Sequence, residues 1–159
     1  MNKALFLDRD GVLNRERGDY TYSIEDFEIL PEVIPALKLA REKGYLLIVI
    51  SNQGGVAKGI FTVERVEVLH AILNSELAEN ALYFDEIYYC QHHDEVGKCL
   101  CRKPRSLMLE KAIARFKIKP SLSVMIGDSP RDVEAATNAG IRGVLINSND
   151  GILNIVEAL

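Results

Sequence analysis

Five short aliphatic runs, Ala4–Leu7, Tyr45–Ile50, Glu86–Tyr89, Ser123–Ile126 and Gly143–Ile146, recur along the chain with helically spaced stretches between them. Each run has the length and aliphatic content of a buried strand. Between them, apolar residues fall at helical steps: Val33, Leu37, Leu39 and Ala40 ahead of Gly44, Val63 through Leu77, Leu107 through Phe116, and Val133 through Ala139 ahead of Gly140. Pro31, Pro104 and Pro130 suit first-turn positions, and Gly44 and Gly140 suit helix ends. Strand and helix alternating at this pitch predict a parallel sheet with helices on both faces, a doubly wound α/β fold. At 159 residues the chain is read as one domain over 1–159, large enough to bury roughly two thirds of its unfolded surface without a staple. Two irregular segments, Asn14–Leu30 and Cys90–Pro104, are too short for a second domain. No separate cap domain is expected, so loops must shape any pocket.

Ligands of an open α/β sheet bind beyond the carboxyl ends of its strands, which singles out the polar residues that follow each run. These are Asp8 and Asp10 after the first, Ser51, Asn52 and Gln53 after the second, a Cys/His segment after the third, and Gly127, Asp128 and Asp132 after the fourth. In LFLDRDGVLN the two acids stand two apart, so on an extended chain their side chains point the same way and repel. A cation is needed to hold them together. Alone, an Asp after a strand is most often a turn former or helix cap. Two at one buried strand end are harder to account for by stability.

The segment CQHHDEVGKCLC spaces Cys90, His92, Cys99 and Cys101 as C-x-H-x6-C-x-C, a ligand set suited to a closed tetrahedral zinc site. All three cysteines of the chain lie there, which argues against a disulfide framework. Such an ion would be structural, fixing where the adjoining Arg102 and Lys103 project. Net charge is −4, with no Lys/Arg block and no tryptophan, which disfavours a dedicated nucleic-acid surface. The apolar runs fall far short of the ~20 residues of a membrane span, and MNKALFLD has too short an apolar stretch for a secretory signal. A soluble, cytoplasmic protein is expected, and a monomer.

In this order, LFLDRDGVLN, VISNQGG, RKP and IGDSPRD resemble the haloacid dehalogenase superfamily of phosphohydrolases over nearly the whole chain. The resemblance implies magnesium between the acids and a phosphoryl group as substrate. Asp8 would be the nucleophile, forming an aspartyl-phosphate, and Asp10 the acid and then the base for the two proton transfers. Ser51 and backbone amides near Arg9 and Gln53 would bond the phosphoryl oxygens, with Lys103 neutralising charge. Asp8, the Asp10 carbonyl and Asp128 would ligate magnesium, with Asp132 in support. Val12 stands where Thr is common in that superfamily.

The zinc loop running into C-x-C-R-K-P resembles a narrower group, the bacterial D-glycero-D-manno-heptose bisphosphate phosphatases and the related histidinol phosphatases. SNQGGVAKGIFT, DGVLNRERGDY and the double histidine of CQHH lean toward the heptose enzymes. The short spacing between His92 and Cys99 leans toward the histidinol ones, and Gln91 replaces a Pro usual in both. The resemblance implies a small phosphorylated sugar as substrate, heptose 1,7-bisphosphate with loss of its C7 phosphate, with histidinol phosphate as the alternative. A bisphosphate needs a second anion site, for which Arg102, then Lys58 and Arg17, are the candidates. Asn52, Gly54 and Ser129 complete the expected substrate contacts. A nucleic-acid terminal phosphate and a phospho-accepting receiver module are the remaining readings. Receivers carry neither the zinc loop nor the second acid of DxD.

Overall fold

The computed structural model describes residues 1–159. Its elements are β1 (Lys3–Leu7), α1 (Val33–Glu42), β2 (Tyr45–Asn52), α2 (Val63–Glu79), β3 (Glu86–Cys90), α3 (Leu107–Phe116), β4 (Val124–Gly127), α4 (Pro130–Asn138), β5 (Arg142–Leu145) and α5 (Leu153–Glu157), with a 3₁₀ turn at Pro120–Leu122. The strands form one parallel sheet in the order β3-β2-β1-β4-β5. From the central β1 the chain runs outward to β2 and β3 and then returns to the other side for β4 and β5. The reversal leaves a crevice at the carboxyl ends of β1 and β4, where an open α/β sheet binds its ligand.

Side-chain alternation divides the core into two layers. Leu5 and Leu7 of β1, Leu47 and Val49 of β2, and Val124 and Ile126 of β4 pack with α1, the end of α2 and α5. Ala4 and Phe6, Ile48 and Ile50, and Met125 face the opposite layer, built from Met108, Leu109 and Ala112 of α3 and Ala135 and Ala136 of α4. Because the sheet is covered on both faces, the inner strands read as unbroken aliphatic runs, which is why the sequence exposes them so clearly.

Pro130 occupies the first turn of α4, as expected. Pro31 lies ahead of α1, and Pro104 follows a cis peptide in a turn ahead of α3. A proline can end a turn just upstream of a helix as readily as start the helix, and the pattern alone does not separate the two. Helix α5 has only five residues, too few for an apolar period to register in sequence; it seats Val156 in the α1 layer. The Asn14–Leu30 segment is a loop tied back to its own base, with Leu30 N–H donating to the Leu13 carbonyl (3.0 Å) and Arg15 N–H to the Glu28 carbonyl (2.8 Å). No helix is long and apolar enough to cross a membrane.

Candidate active site

The strand ends bring Asp8, Asp128 and Asp132 together, with carboxylate oxygens all within 4.8 Å of one another. Lys103 enters from the loop between β3 and α3, buried almost completely, and its ammonium lies 2.8 Å from Asp8 Oδ1 and 2.7 Å from Asp132 Oδ1. It also donates to the Ile50 carbonyl at the end of β2 (2.7 Å). Burial lifts the Asp8 carboxyl above the usual carboxylate range, with Lys103 pulling against it and Asp132 adding to the rise. For Lys103, burial works against the charge, but the two carboxylates outweigh it and hold the amine protonated.

Three carboxylates against one ammonium leave a local formal charge of −2. Asp132 Oδ1 is buried and, apart from the ion pair, accepts no hydrogen bond. The Asp10 carbonyl accepts no hydrogen bond from the protein. An all-oxygen donor set with a charge deficit of this size fits a hard divalent cation such as magnesium. Gly11 makes the approach possible: a Cβ there would meet Asp128 Oδ2 at 1.9 Å, and its φ of +85° suits glycine.

Asp10 is held apart from that cluster. Its Oδ1 accepts from Arg9 Nη2 and Asn14 Nδ2, and its Oδ2 from Gln53 Nε2, each at 2.9 Å. Burial alone would raise its pKa, but Arg9 and the three hydrogen bonds prevail and hold it below the usual carboxylate range. The Arg9 side chain is 1% exposed; it also donates to the Thr21 carbonyl (3.2 Å) and approaches His70 Nε2 at 3.5 Å. Only its main chain reaches the site, the N–H donating to Asp8 Oδ1 (2.9 Å). Burial, reinforced by the Arg9 charge, pushes His70 down to about 4. The unfolded chain therefore takes up a proton on His70 below its ordinary pKa of 6.5, whereas the fold resists doing so until about 4. Stability contributed by neutral His70 is intact above 6.5 and is lost as pH falls toward 4, by roughly 3 kcal/mol in full. Replacing His70 with Gln is expected to flatten the dependence of unfolding free energy on pH across that window. Denaturant melts at a series of pH values check this, and an unchanged slope would contradict it.

In the loop after β3, the Cys90 and Cys101 sulfurs lie 3.1 Å apart, Cys90 and Cys99 3.7 Å, and His92 Nδ1 is 3.5 Å from Cys90 and 3.3 Å from Cys101. A zinc tetrahedron with thiolate ligands has edges of about 3.8 Å, so these four atoms already sit close to its corners. The cysteines are free thiols. Backbone N–H groups of His92 and Arg102 donate to Cys90 and Cys99 Sγ, both at 3.4 Å, as expected around metal-bound thiolates. Burial raises the Cys90 thiol, and its neighbours Cys101 and Cys99 add to the rise; at Cys99 the backbone donors from Arg102 and Cys101 overcome burial and lower it.

A cavity of about 540 Å³ opens above these residues, and only one of its seventeen lining residues is hydrophobic, which suits a highly polar ligand. Of the residues singled out in the sequence, Asp8, Asp10, Asn52, Gln53, Gly54, Arg102, Lys103, Asp128 and Ser129 line it. Asn52 does so while bonding the Lys103 main chain at both N–H (3.0 Å) and carbonyl (3.1 Å). Gly54 keeps the wall thin, since a Cβ there would strike His93 at 2.8 Å and Arg102 at 2.9 Å. Ser129 precedes α4, its N–H donating to Asp132 Oδ2 (3.0 Å).

Three expectations need correction. Ser51 is fully buried behind Gln53, whose Nε2 donates to its Oγ at 2.9 Å, because strand alternation turns it to the layer of Leu47 and Val49. Arg17 pairs with Asp26 (2.9 Å) and Lys58 with Glu95 (3.2 Å), and neither lines the cavity. Sequence reading in turn passed over Ser148, whose Oγ donates to Asp128 Oδ2 (2.5 Å), and Arg131, which lines the cavity from α4. Ser148 follows β5, so the strand-end rule carried to the last strand finds it. Arg131 stands inside the IGDSPRD motif itself.

Residues 100–151 match the family model described as "HAD-hyrolase-like". The chain is 43% identical to the D-glycero-beta-D-manno-heptose-1,7-bisphosphate 7-phosphatase of Haemophilus influenzae, over all of this chain and 89% of that one. It is 37% identical to the alpha-anomer enzyme of Photorhabdus laumondii, over 87% of this chain and 79% of that one. Among solved structures, the D,D-heptose 1,7-bisphosphate phosphatase of B. bronchiseptica, complexed with magnesium and phosphate, superposes with a TM-score of 0.86 at 29% identity. The match covers 98% of this chain and 86% of that one. A doubly wound sheet, an acid cluster at its switch point and relatives of this identity over the full length agree: the chain is a phosphatase and belongs to the haloacid dehalogenase-like family that includes the heptose bisphosphate phosphatases.

Proposed function

We propose that this phosphatase removes the C7 phosphate of D-glycero-D-manno-heptose 1,7-bisphosphate through a phosphoryl group carried on Asp8. The observation that carries the substrate is the identity of 43% to a heptose bisphosphatase across the entire chain. The polar cavity supports it, since a sugar bisphosphate offers hydroxyls and anionic oxygens and almost no apolar surface.

Asp8 attacks phosphorus, with Lys103 steadying its carboxylate before attack and the charge on the phosphoryl oxygens afterwards. Asp10 protonates the departing C7 alkoxide and then takes the proton of the water that cleaves the acyl phosphate. The Arg9, Asn14 and Gln53 clamp keeps Asp10 ionised in the free protein, the form required for the second task; the first requires that it be protonated beforehand. Ser51 acts at one remove, fixing the Gln53 amide that orients Asp10. Asp8, Asp128 and the Asp10 carbonyl would hold magnesium, supported by Asp132. When bound, the ion screens the carboxylates from one another and from the phosphoryl group.

Cys90, His92, Cys99 and Cys101 would hold a structural zinc ion that fixes the start of the Arg102–Lys103 segment. Cys99→Ser is expected to lose zinc and several degrees of thermal stability, with turnover falling because Lys103 is two residues beyond Cys101. Metal analysis of the purified variant checks this, and an undiminished zinc content would contradict it. The substrate proposal is tested by phosphate release with magnesium present, comparing the heptose bisphosphate anomers, fructose bisphosphate and histidinol phosphate. A heptose bisphosphate is expected to give the highest kcat/KM. A higher value on histidinol phosphate would overturn the assignment.

A further inference from the structure

With one phosphate over Asp8, a bisphosphate carries a second group of about −1.5 to −2 charges that must be accommodated elsewhere in the same cavity. Three side-chain cations line that cavity: Lys103, Arg102 and Arg131. Lys103 is committed to Asp8 and Asp132. Arg102 donates to the His92 carbonyl (3.3 Å), tethered to the Cys/His loop. Arg131 alone of the three makes no ion pair and no hydrogen bond. The cations expected to help from elsewhere, Arg17 and Lys58, are paired with Asp26 and Glu95 outside the cavity.

Topology makes the two guanidinium groups complementary. Arg102 arrives on the loop that follows β3 and Arg131 on the first turn of α4 after β4, and in the sheet order these strands lie on opposite sides of β1. A substrate anchored over Asp8 therefore lies between the two segments that carry these arginines. The other charged groups on the wall, Asp8, Asp10, Glu16, Asp19 and Asp128, are acidic, which leaves the arginines as the cations open to a second phosphate. Arginine is suited to the task because its planar fork binds two phosphate oxygens at once.

We infer that Arg131 binds the phosphate that is not hydrolysed, and so sets the preference of this phosphatase for a bisphosphate over a monophosphate. The inference rests on the heptose bisphosphate reading and adds a residue to it. Asp8 and Lys103 handle the reacting phosphate; Arg131 acts on the remote one.

The test compares Arg131→Ala, Arg131→Lys and the wild type on heptose 1,7-bisphosphate, heptose 7-phosphate and p-nitrophenyl phosphate, with magnesium saturating. In Arg131→Ala the ratio of kcat/KM for the bisphosphate to that for either monophosphate is expected to fall by about 10- to 100-fold, the loss of one charge-assisted hydrogen-bonding partner. Most of the change should lie in KM, and Arg131→Lys should recover part of it. Equal losses on all three substrates would overturn the role by placing Arg131 at the reacting phosphate or in the fold. No loss on any would make it a solvated surface charge. If the wild type itself shows no preference for the bisphosphate over the monophosphates, the substrate reading falls and takes this role with it, a result distinguishable from the other two before any variant is made.

Discussion

Replacing Asp8 by Asn is expected to lower turnover by about four or more orders of magnitude, as removal of a covalent nucleophile does elsewhere, while leaving the protein folded and no less stable. The amide oxygen of Asn can still accept from the Lys103 ammonium and the Arg9 N–H, which now meet Asp8 Oδ1 at 2.8 and 2.9 Å. The sign of the stability effect follows from the titration. Burial raises the folded-state pKa of Asp8 above its unfolded value, so ionised Asp8 costs stability near neutral pH. A neutral amide removes that cost, and Lys103 keeps Asp132 at 2.7 Å as its counter-charge. Phosphate release and thermal melts on the same preparation check both halves. Activity near the wild-type level would exclude Asp8 as the nucleophile, and a large drop in melting temperature would show that the carboxylate is there for the fold.

Lys103→Met, unlike Asp8→Asn, is expected to lose stability as well as turnover. The methionine fills similar volume but leaves two carboxylates facing one another in the interior, with Asp132 only 1% exposed, and strips the Ile50 carbonyl of its donor. Breaking a buried pair by removing one partner costs about 3–5 kcal/mol, mostly because the orphaned charge remains. A second change, Asp132→Asn, should then restore part of the loss, since it removes one of the stranded charges. Chemical denaturation of the single and double variants gives the coupling directly. If the single variant melts with the wild type, the ammonium is not the centre of this charge cluster.

The fold was legible because a sheet covered on both faces writes itself as aliphatic runs, and the strand-end rule then collected Asp8, Asp128 and the Cys/His segment without further help. What escaped depended on partners far away in the chain. Arg9 reads as a cation lying between two acids, yet His70 from α2 and Thr21 from the long loop enclose it, turning it into the clamp behind Asp10. Cations such as Arg17 and Lys58 had many carboxylates within reach, and sequence does not say that Asp26 and Glu95 capture them. Ser51 is a different case. Its parity along β2 matches Leu47 and Val49, so its orientation away from the cavity was contained in the pattern once the strand was recognised. The same holds for Ser148, one strand further along than the search for polar residues went.

In the proposed reaction the group at the end of β1 carries the phosphoryl group during turnover. The most direct test is to quench the protein during steady-state hydrolysis of heptose bisphosphate, reduce the acyl phosphate with borohydride, and map the modified residue by mass spectrometry. Homoserine at residue 8, absent without substrate, is the predicted result. Phosphate release with no modified aspartate, or with the modification on Asp10, would contradict it.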